Sequence, residues 1–362
     1  MDSYIYRYTR SMNRISAVPR RQRSPTLEDV ADRAGVSRMT VSNVVNGAAA
    51  RVGAKTRAAV LRTIRELGYV PNSAARKLAS GAEQRIAFLM FADANPMHSD
   101  AITAALHVCA KRSVQLTVVD IEGEPFALTR NLAATGISAV LVPSLHCASE
   151  EFMRYLSDQG LAPVGLLPGT RPIPGFSCVW IDDRGAAYDA TALLISLGHR
   201  RIGHVRGPLQ QPSARERYDG FRFAMRDAGL PISEDRIAQG DFSFRSGLSA
   251  ADALLNSRER PTAIFAANDD MAAGVLSAAY RHHLQVPEQL SVFGFDDTML
   301  ATRLAPELST VRQPLDEVLD AAVDLALIAA RELRATGRIE PVHKEVRYRI
   351  IQRETTASLL QR

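Results

Sequence analysis

At 362 residues the chain exceeds one ordinary domain, so two or three compact units are expected. Hydrophobic residues make up 46% of it, enough for a well-buried core, and no run of eighteen apolar residues occurs, which argues against a transmembrane helix. Charge is uneven: residues 1–80 carry fifteen Lys/Arg against five Asp/Glu, leaving 29 against 34 in the remainder, so a basic head on an acidic body points to a polyanion met by the head alone.

Residues 1–24 show no stable periodicity and carry Arg7, Arg10, Arg14, Arg20, Arg21 and Arg23. They read as a disordered basic arm, and without an apolar h-region they do not form a secretory signal. Order begins at Thr26-Leu27-Glu28-Asp29, where a hydroxyl at the N-cap and a carboxylate at N3 can satisfy orphan backbone donors reciprocally. Val30, Ala31 and Ala34 then give a short helix its apolar side, and Gly35 ends it. Ser37 caps a second helix with Val41, Val44 and Val45 inward, stopped by Asn46-Gly47. A third helix is predicted over residues 55–67, with Val60, Ile64 and Leu67 at helical spacing and Gly68 past its end. Three short helices with a tight glycine turn between the first two form the helix-turn-helix pattern, placed at residues 25–70.

On the second of these helices Arg38, Met39 and Asn43 face away from the valine stripe. Arginine can pair with guanine O6/N7, asparagine with adenine N6/N7, and methionine can touch a thymine methyl. Thr26, Ser37, Thr40, Ser42 and Asn46 are short polar side chains suited to phosphate contacts that fix register. Many small helical domains share this spacing without binding DNA. Pro71-Asn72 then opens a segment of two helix-prone turns, too short to be stable without a partner.

From residue 83 onward the pattern changes to short apolar runs separated by amphipathic helices. The runs are residues 86–91, 116–121, 139–143, 163–167, 178–182, 202–205, 237–242, 263–268 and 290–295. Nine such strands over this length suit two doubly wound parallel-sheet subdomains, covered by helices on both faces, better than one sheet. A ligand would sit at the strands' carboxyl ends, in the cleft between them.

The segments TLEDVADRAGVSRMTVSNVVNG and KTRAAVLRTIRELGYVPNSAARKLASG resemble the head and hinge of the lactose/galactose repressor (LacI/GalR) family. GHRRIGHVRGP, RYDGF, AANDDMAAGVL, QLSVFGFDD and LSTVRQP resemble that family's effector-binding core, in the same order and as far as about Thr356. The resemblance implies a periplasmic-binding-protein-like body at residues 83–362 of two interleaved subdomains, which also dimerises. It implies a hinge helix and linker at residues 71–82 that forms on DNA. There Leu78 wedges between base pairs in the minor groove, Ala75 approaches the groove floor and Lys77 lies beside it. An ordinary packing role for Leu78 is the alternative. It also implies that Arg38-Met39 and Asn43 set operator sequence. In the cleft, Arg217 would grip ligand oxygens, Asp296 accept from hydroxyls, Asn268 offer donor and acceptor, and Phe242 stack on a pyranose. Each has a structural alternative: Arg217 as a bridge between subdomains, Asp296 as a helix cap, Phe242 as core. Asp183 stands where many relatives have asparagine and reaches either the cleft or the surface. Asp93 departs from the family's hydroxyl-rich turn and would take over hydrogen bonding there. Gly53 stands where many members carry a polar residue.

No GxGxxG, GxxxxGK[ST], GxSxG, HExxH or CxxC occurs, and Cys109, Cys147 and Cys178 lie far apart. The expectation is a non-enzymatic regulator of a reducing cytoplasm, working at the nucleoid with no metal and no cofactor. Its expected partners are double-stranded operator DNA, a small effector (a sugar or glycoside for preference) and a second copy of the chain, with no membrane. Three alternatives stand beside release by a sugar: tightening by a corepressor such as a purine, a sugar-binding protein without DNA function, and a sugar-metabolising enzyme.

Overall fold

A computed structural model describes residues 26–45, 52–67, 84–91, 97–121, 125–143, 149–166 and 172–359. The chain divides into two compact units, Met1–Ala82 and Glu83–Arg362.

Among the described residues the first unit holds three helices, α1 (Leu27–Ala34), α2 (Arg38–Val45) and α3 (Ala54–Leu67). The capping box forms: Asp29 N–H donates to Thr26 Oγ1 at 3.2 Å and Thr26 N–H donates to Asp29 Oδ2 at 2.6 Å. Gly35 stops α1 in the left-handed conformation at φ 64°, which glycine adopts without a Cβ penalty. Ser37 Oγ accepts the Thr40 N–H at 3.1 Å and so caps α2. Val30, Val41 and Val60 are fully buried, each stabilising by about 1.5–3 kcal/mol relative to exposure. Ile64, Leu67 and Val36 pack around them. The Val45 side chain falls outside the described residues.

The second unit has the doubly wound, periplasmic-binding-protein-like architecture. Its first sheet comprises β1 (Arg85–Phe91), β2 (Gln115–Ile121), β3 (Ala139–Pro143), β4 (Ala162–Leu166), β5 (Ser177–Trp180) and β11 (His343–Glu345), in the order β11-β5-β4-β3-β1-β2. Every pairing in it is parallel. Helices α4 (Met97–Lys111) and α11 (Leu315–Thr336) cover one face; α6 (Glu150–Asp158), preceded by the short α5 (Pro125–Thr129), covers the other. The second sheet runs β7-β6-β8-β9, again parallel, from β6 (Ile202–Arg206), β7 (Ile237–Gln239), β8 (Ala263–Ala266) and β9 (Ser291–Phe293). Helices α7 (Asp183–Ser196) and α8 (Pro212–Asp227) pack on one side, α9 (Phe244–Leu255) and α10 (Asp269–Arg281) on the other. Helices α7 and α8 approach so closely that a Cβ at Gly220 would overlap the Arg184 carbonyl and stand 2.9 Å from Ala187 Cβ.

The chain passes between the sheets after β5, after the short strand β10 (Thr310–Arg312), and between β11 and β12 (Arg349–Ile351). Strands β10 and β12 pair antiparallel. The subdomains are therefore interleaved, and residues at these passages are shared by both. All nine expected runs contain a strand, with β5, β7, β8 and β9 shortened. Strand β5 stops at Trp180 because Asp182 turns outward to cap α7, its Oδ1 accepting the Gly185 N–H at 2.9 Å. Strand β7 stops at Gln239, since Phe242 adopts φ 71°, and β9 stops at Phe293 before Asp296 at φ 122°. No described helix is long and apolar enough to cross a membrane.

Candidate functional site

On α2, Arg38 is exposed, Met39 retains 69% of its surface, and Thr40, Ser42 and Asn43 are half-buried. Met39 is among the most exposed large apolar side chains of the described residues, and it stands beside the exposed Arg38 at the start of the helix. The valines at 41 and 44 settle which face points outward, so Arg38, Met39, Ser42 and Asn43 share the solvent side. Ser37 and Thr40 hydroxyls lie 2.9 Å apart at the helix start, and Thr26 spends its hydroxyl on the capping box. Asn46, Ala75, Lys77, Leu78 and Asp93 lie outside the described residues.

In the second unit the structure brings Asp183, Arg217 and Asp296 together. Arg217, on α8, is 4% exposed; its Nε donates to Asp183 Oδ1 at 2.8 Å, and its Nη1 donates to the Ala267 carbonyl at 2.6 Å and, at the long distance of 3.4 Å, to Asp296 Oδ1. Its guanidinium carbon stands 3.6 Å from the centroid of the Phe295 ring, a cation–π contact in a desolvated setting. Gln313 Nε2 donates to Asp296 Oδ1 at 2.6 Å. Asp183 follows the first passage between subdomains and Gln313 the second, so the guanidinium ties the joints together. Both the bridging and the ligand-gripping readings of Arg217 fit this geometry, because its Nη2 donates to no described residue.

Electrostatics at this cluster are crowded. Burial pushes the Asp183 carboxyl up, opposed by Arg217. Burial likewise raises Asp296 to about 7, again against the pull of Arg217 and the Gln313 amide. Asp269, fully buried behind them, stands well above the usual carboxylate range through burial and then the charge of Asp296. Its Oδ1 accepts Thr310 Oγ1 at 2.6 Å and its Oδ2 accepts the Thr298 N–H at 2.8 Å, so it fixes the loop that carries Asp296.

Asn268 and Phe242 sit deeper than an open ligand wall requires. Asn268 is 1% exposed: its Oδ1 accepts the Met271 N–H at 2.9 Å as the N-cap of α10, and its Nδ2 donates to the Phe242 carbonyl at 2.9 Å. Phe242 is 4% exposed, and its ring lies where a Cβ on Gly207 would stand. Beside the cluster lies a cavity of about 490 Å³, lined by Asp100, Thr103 and Ala104 from α4 and by Asp296, Gln313 and Leu315, and so open to both subdomains. Such a volume takes a small ligand. Gln313, Phe295 and Asp269 went unassigned in the sequence reading. Gln313 and Phe295 lie inside the quoted motifs LSTVRQP and QLSVFGFDD, and Asp269 adjoins Asn268 in AANDD.

Comparison with known proteins agrees at both ends of the chain. Residues 26–72 match the family model of bacterial regulatory proteins, lacI family, and residues 191–356 match a periplasmic binding protein-like domain. The ribose operon repressor of Escherichia coli (strain K12) is 36% identical over 312 residues, covering 83% of this chain and 92% of that protein. Among solved structures, the transcriptional regulator CelR–cellobiose complex is 31% identical with TM-score 0.66, over 91% of this chain and 99% of that one. The lac repressor dimer bound to operator and the anti-inducer ONPF is 27% identical with TM-score 0.73, over 92% and 100%. A helix-turn-helix head, an interleaved two-subdomain body and this extent of identity lead to one conclusion: the chain belongs to the lacI family of bacterial regulatory proteins.

Proposed function

We propose that this protein is a homodimeric transcriptional repressor that binds double-stranded operator DNA through α2 and is released when a small carbohydrate enters the cleft beside Arg217. The head would span residues 25–70, the hinge 71–82 and the effector-binding body 83–362, with no enzymatic step. Arg38, Met39 and Asn43 would read bases, while Ser37, Thr40 and Ser42 would meet phosphates. The observation that carries the ligand half is the buried Arg217 guanidinium, held by Asp183 at the first passage and by Ala267 and Asp296 of the second subdomain, with Nη2 donating to no described residue. Hydroxyl oxygens of a polyol suit that donor, and Asp296 supplies the matching acceptor. Ligand entry would reset the angle between subdomains at the joints Arg217 ties, and operator affinity would follow by thermodynamic coupling. The sugars in the names of the similar ribose operon repressor and CelR complex favour a carbohydrate, and the lac repressor dimer favours two heads on a near-palindromic site.

The experiment is a pair of titrations on the full chain. Arg38→Ala should weaken binding to operator selected from random DNA by about 1–3 kcal/mol while changing nonspecific binding far less. Equal losses on both would remove Arg38 from base reading. A thermal-shift screen of sugars and nucleobases, followed by gel shifts with each hit, identifies the ligand and shows whether it releases or tightens DNA.

A further inference from the structure

Arg217 already has a counter-ion. The Asp183 carboxylate lies 2.8 Å from its Nε, in a site where the two side chains are 2% and 5% exposed, and Asp296 approaches the same guanidinium from another side. The close Asp183 ion pair matches the single charge of the buried guanidinium, so no surplus positive charge is left for a ligand. The neighbouring cavity shares Asp296 and Gln313 with this cluster, while Asp183 and Arg217 are not among its lining residues, and it carries several acids. Asp100 and Asp296 line it, and Asp270 at the start of α10 is raised by burial and then by the charge of Asp100. Asp297 on the same wall is already neutralised by Arg312 and Arg353. Asp316 and Glu317 at the rim are shared with a groove that holds Lys111 and Lys344, so they add little. Arg349 and His107 are the remaining basic groups on the cavity wall among the described residues.

We infer that the cleft selects an uncharged, hydroxyl-bearing ligand and rejects its phosphate ester, with Asp183 acting as the built-in counter-ion that denies Arg217 to an anion. An anionic ligand would have to displace the Asp183 carboxylate or stand beside it and Asp296 in a poorly hydrated site, and like charges placed together in such a site weaken binding steeply. A hydroxyl meets no such conflict, since it can accept from Nη2 and donate to Asp296 without disturbing the ion pair. Asp183 is thereby a specificity-determining residue that touches the ligand's gripping group, not the ligand. Asparagine at that position would keep an acceptor for Arg217 Nε while freeing the guanidinium's charge.

This inference rests on the ligand reading proposed above, and the test separates the two. Isothermal calorimetry on the full chain compares ribose with ribose 5-phosphate, glucose with glucose 6-phosphate, and inosine with inosine 5′-monophosphate. The expected result is binding of a neutral sugar, with its ester weaker by about a hundredfold. Asp183→Asn should narrow that gap by about tenfold or more, chiefly by strengthening the ester. Asp270→Asn, which leaves Arg217 and its partners intact, should narrow it to a smaller extent and guards against an Asp183 variant that folds poorly. An ester binding as tightly as its parent sugar would overturn the charge rule and leave the carbohydrate reading standing. Binding of the purine nucleoside and of neither sugar would overturn the carbohydrate reading, and the charge rule would then stand or fall on whether the monophosphate is rejected. If no member of any pair binds, both ideas fail.

Discussion

Replacing Arg217 by methionine removes the guanidinium while keeping an unbranched apolar stem against Phe295. Three hydrogen bonds disappear, to Asp183, Ala267 and Asp296, of which the 3.4 Å bond to Asp296 is the weakest. Two buried carboxyls lose their counter-charge, and breaking a buried ion pair from one side costs about 3–5 kcal/mol. That cost depends on pH, because a carboxyl left without a partner can take up a proton. Asp296 already stands at about 7 and Asp183 is raised in the same direction, so both protonate readily once Arg217 is gone. Each unit of pH below the raised value recovers up to about 1.4 kcal/mol per group. The loss should therefore be about 3–5 kcal/mol at pH 8 and less than about 2 kcal/mol at pH 5. In the unmutated protein the sign is fixed by the raised Asp296. Its contribution to stability is full below the ordinary value of 3.8 and is lost as pH rises through about 7. Urea unfolding of the full chain at both pH values, followed through Trp180 fluorescence and circular dichroism, measures the difference. Equal midpoints for the variant and the unmutated protein at pH 8 would refute the picture of a charged, interlocked joint.

Gly220→Ala should destabilise the body by about 2–3 kcal/mol or more, because the new methyl meets the Arg184 carbonyl across α7 and α8 and backbone cannot swing aside; an unchanged melting temperature would show that these helices have slack. His204 is buried among Tyr218, Phe221 and Phe265, donates Nδ1–H to the Phe265 carbonyl at 2.8 Å, and is pushed down to about 3, chiefly by burial. Its stabilising contribution is present above the ordinary value of 6.5 and lost as pH falls toward about 3. His204→Phe should cost about 1–3 kcal/mol at pH 7.5 by stranding that carbonyl, with the difference from the unmutated protein shrinking on acidification. A gap that widens in acid would contradict the neutral, buried assignment.

The strands of the body could be read from sequence because parallel strands buried on both faces appear as continuous apolar runs, as in Ala139–Pro143. Strands β10, β11 and β12 could not, since each has three residues and the passage geometry sets its pairing, with no apolar run to mark it. The Thr26–Asp29 box was legible because both partners lie within one turn. The Arg217 cluster was legible only as candidates. Its residues lie 34 and 79 positions apart, and nothing local shows that Asp183 turns inward onto the guanidinium. Resemblance suggested their neighbourhood, and the structure supplied the ion pair. Asn268 carried a readable signal of another kind: asparagine before two acids and an apolar helix is an N-cap with a favourable first turn. The left-handed turn at Phe242 carried none, because a bulky residue there is held by the surrounding packing.

The central claim is that the head and the cleft are coupled, and reciprocal titration tests it most directly. Fluorescence anisotropy of labelled operator is measured with and without the ligand identified by thermal shift, and calorimetry of that ligand with and without operator. Coupling of this kind gives weaker operator binding in the presence of ligand and weaker ligand binding in the presence of operator, by one common factor of about 5–150-fold. Operator affinity unchanged at saturating ligand would contradict it.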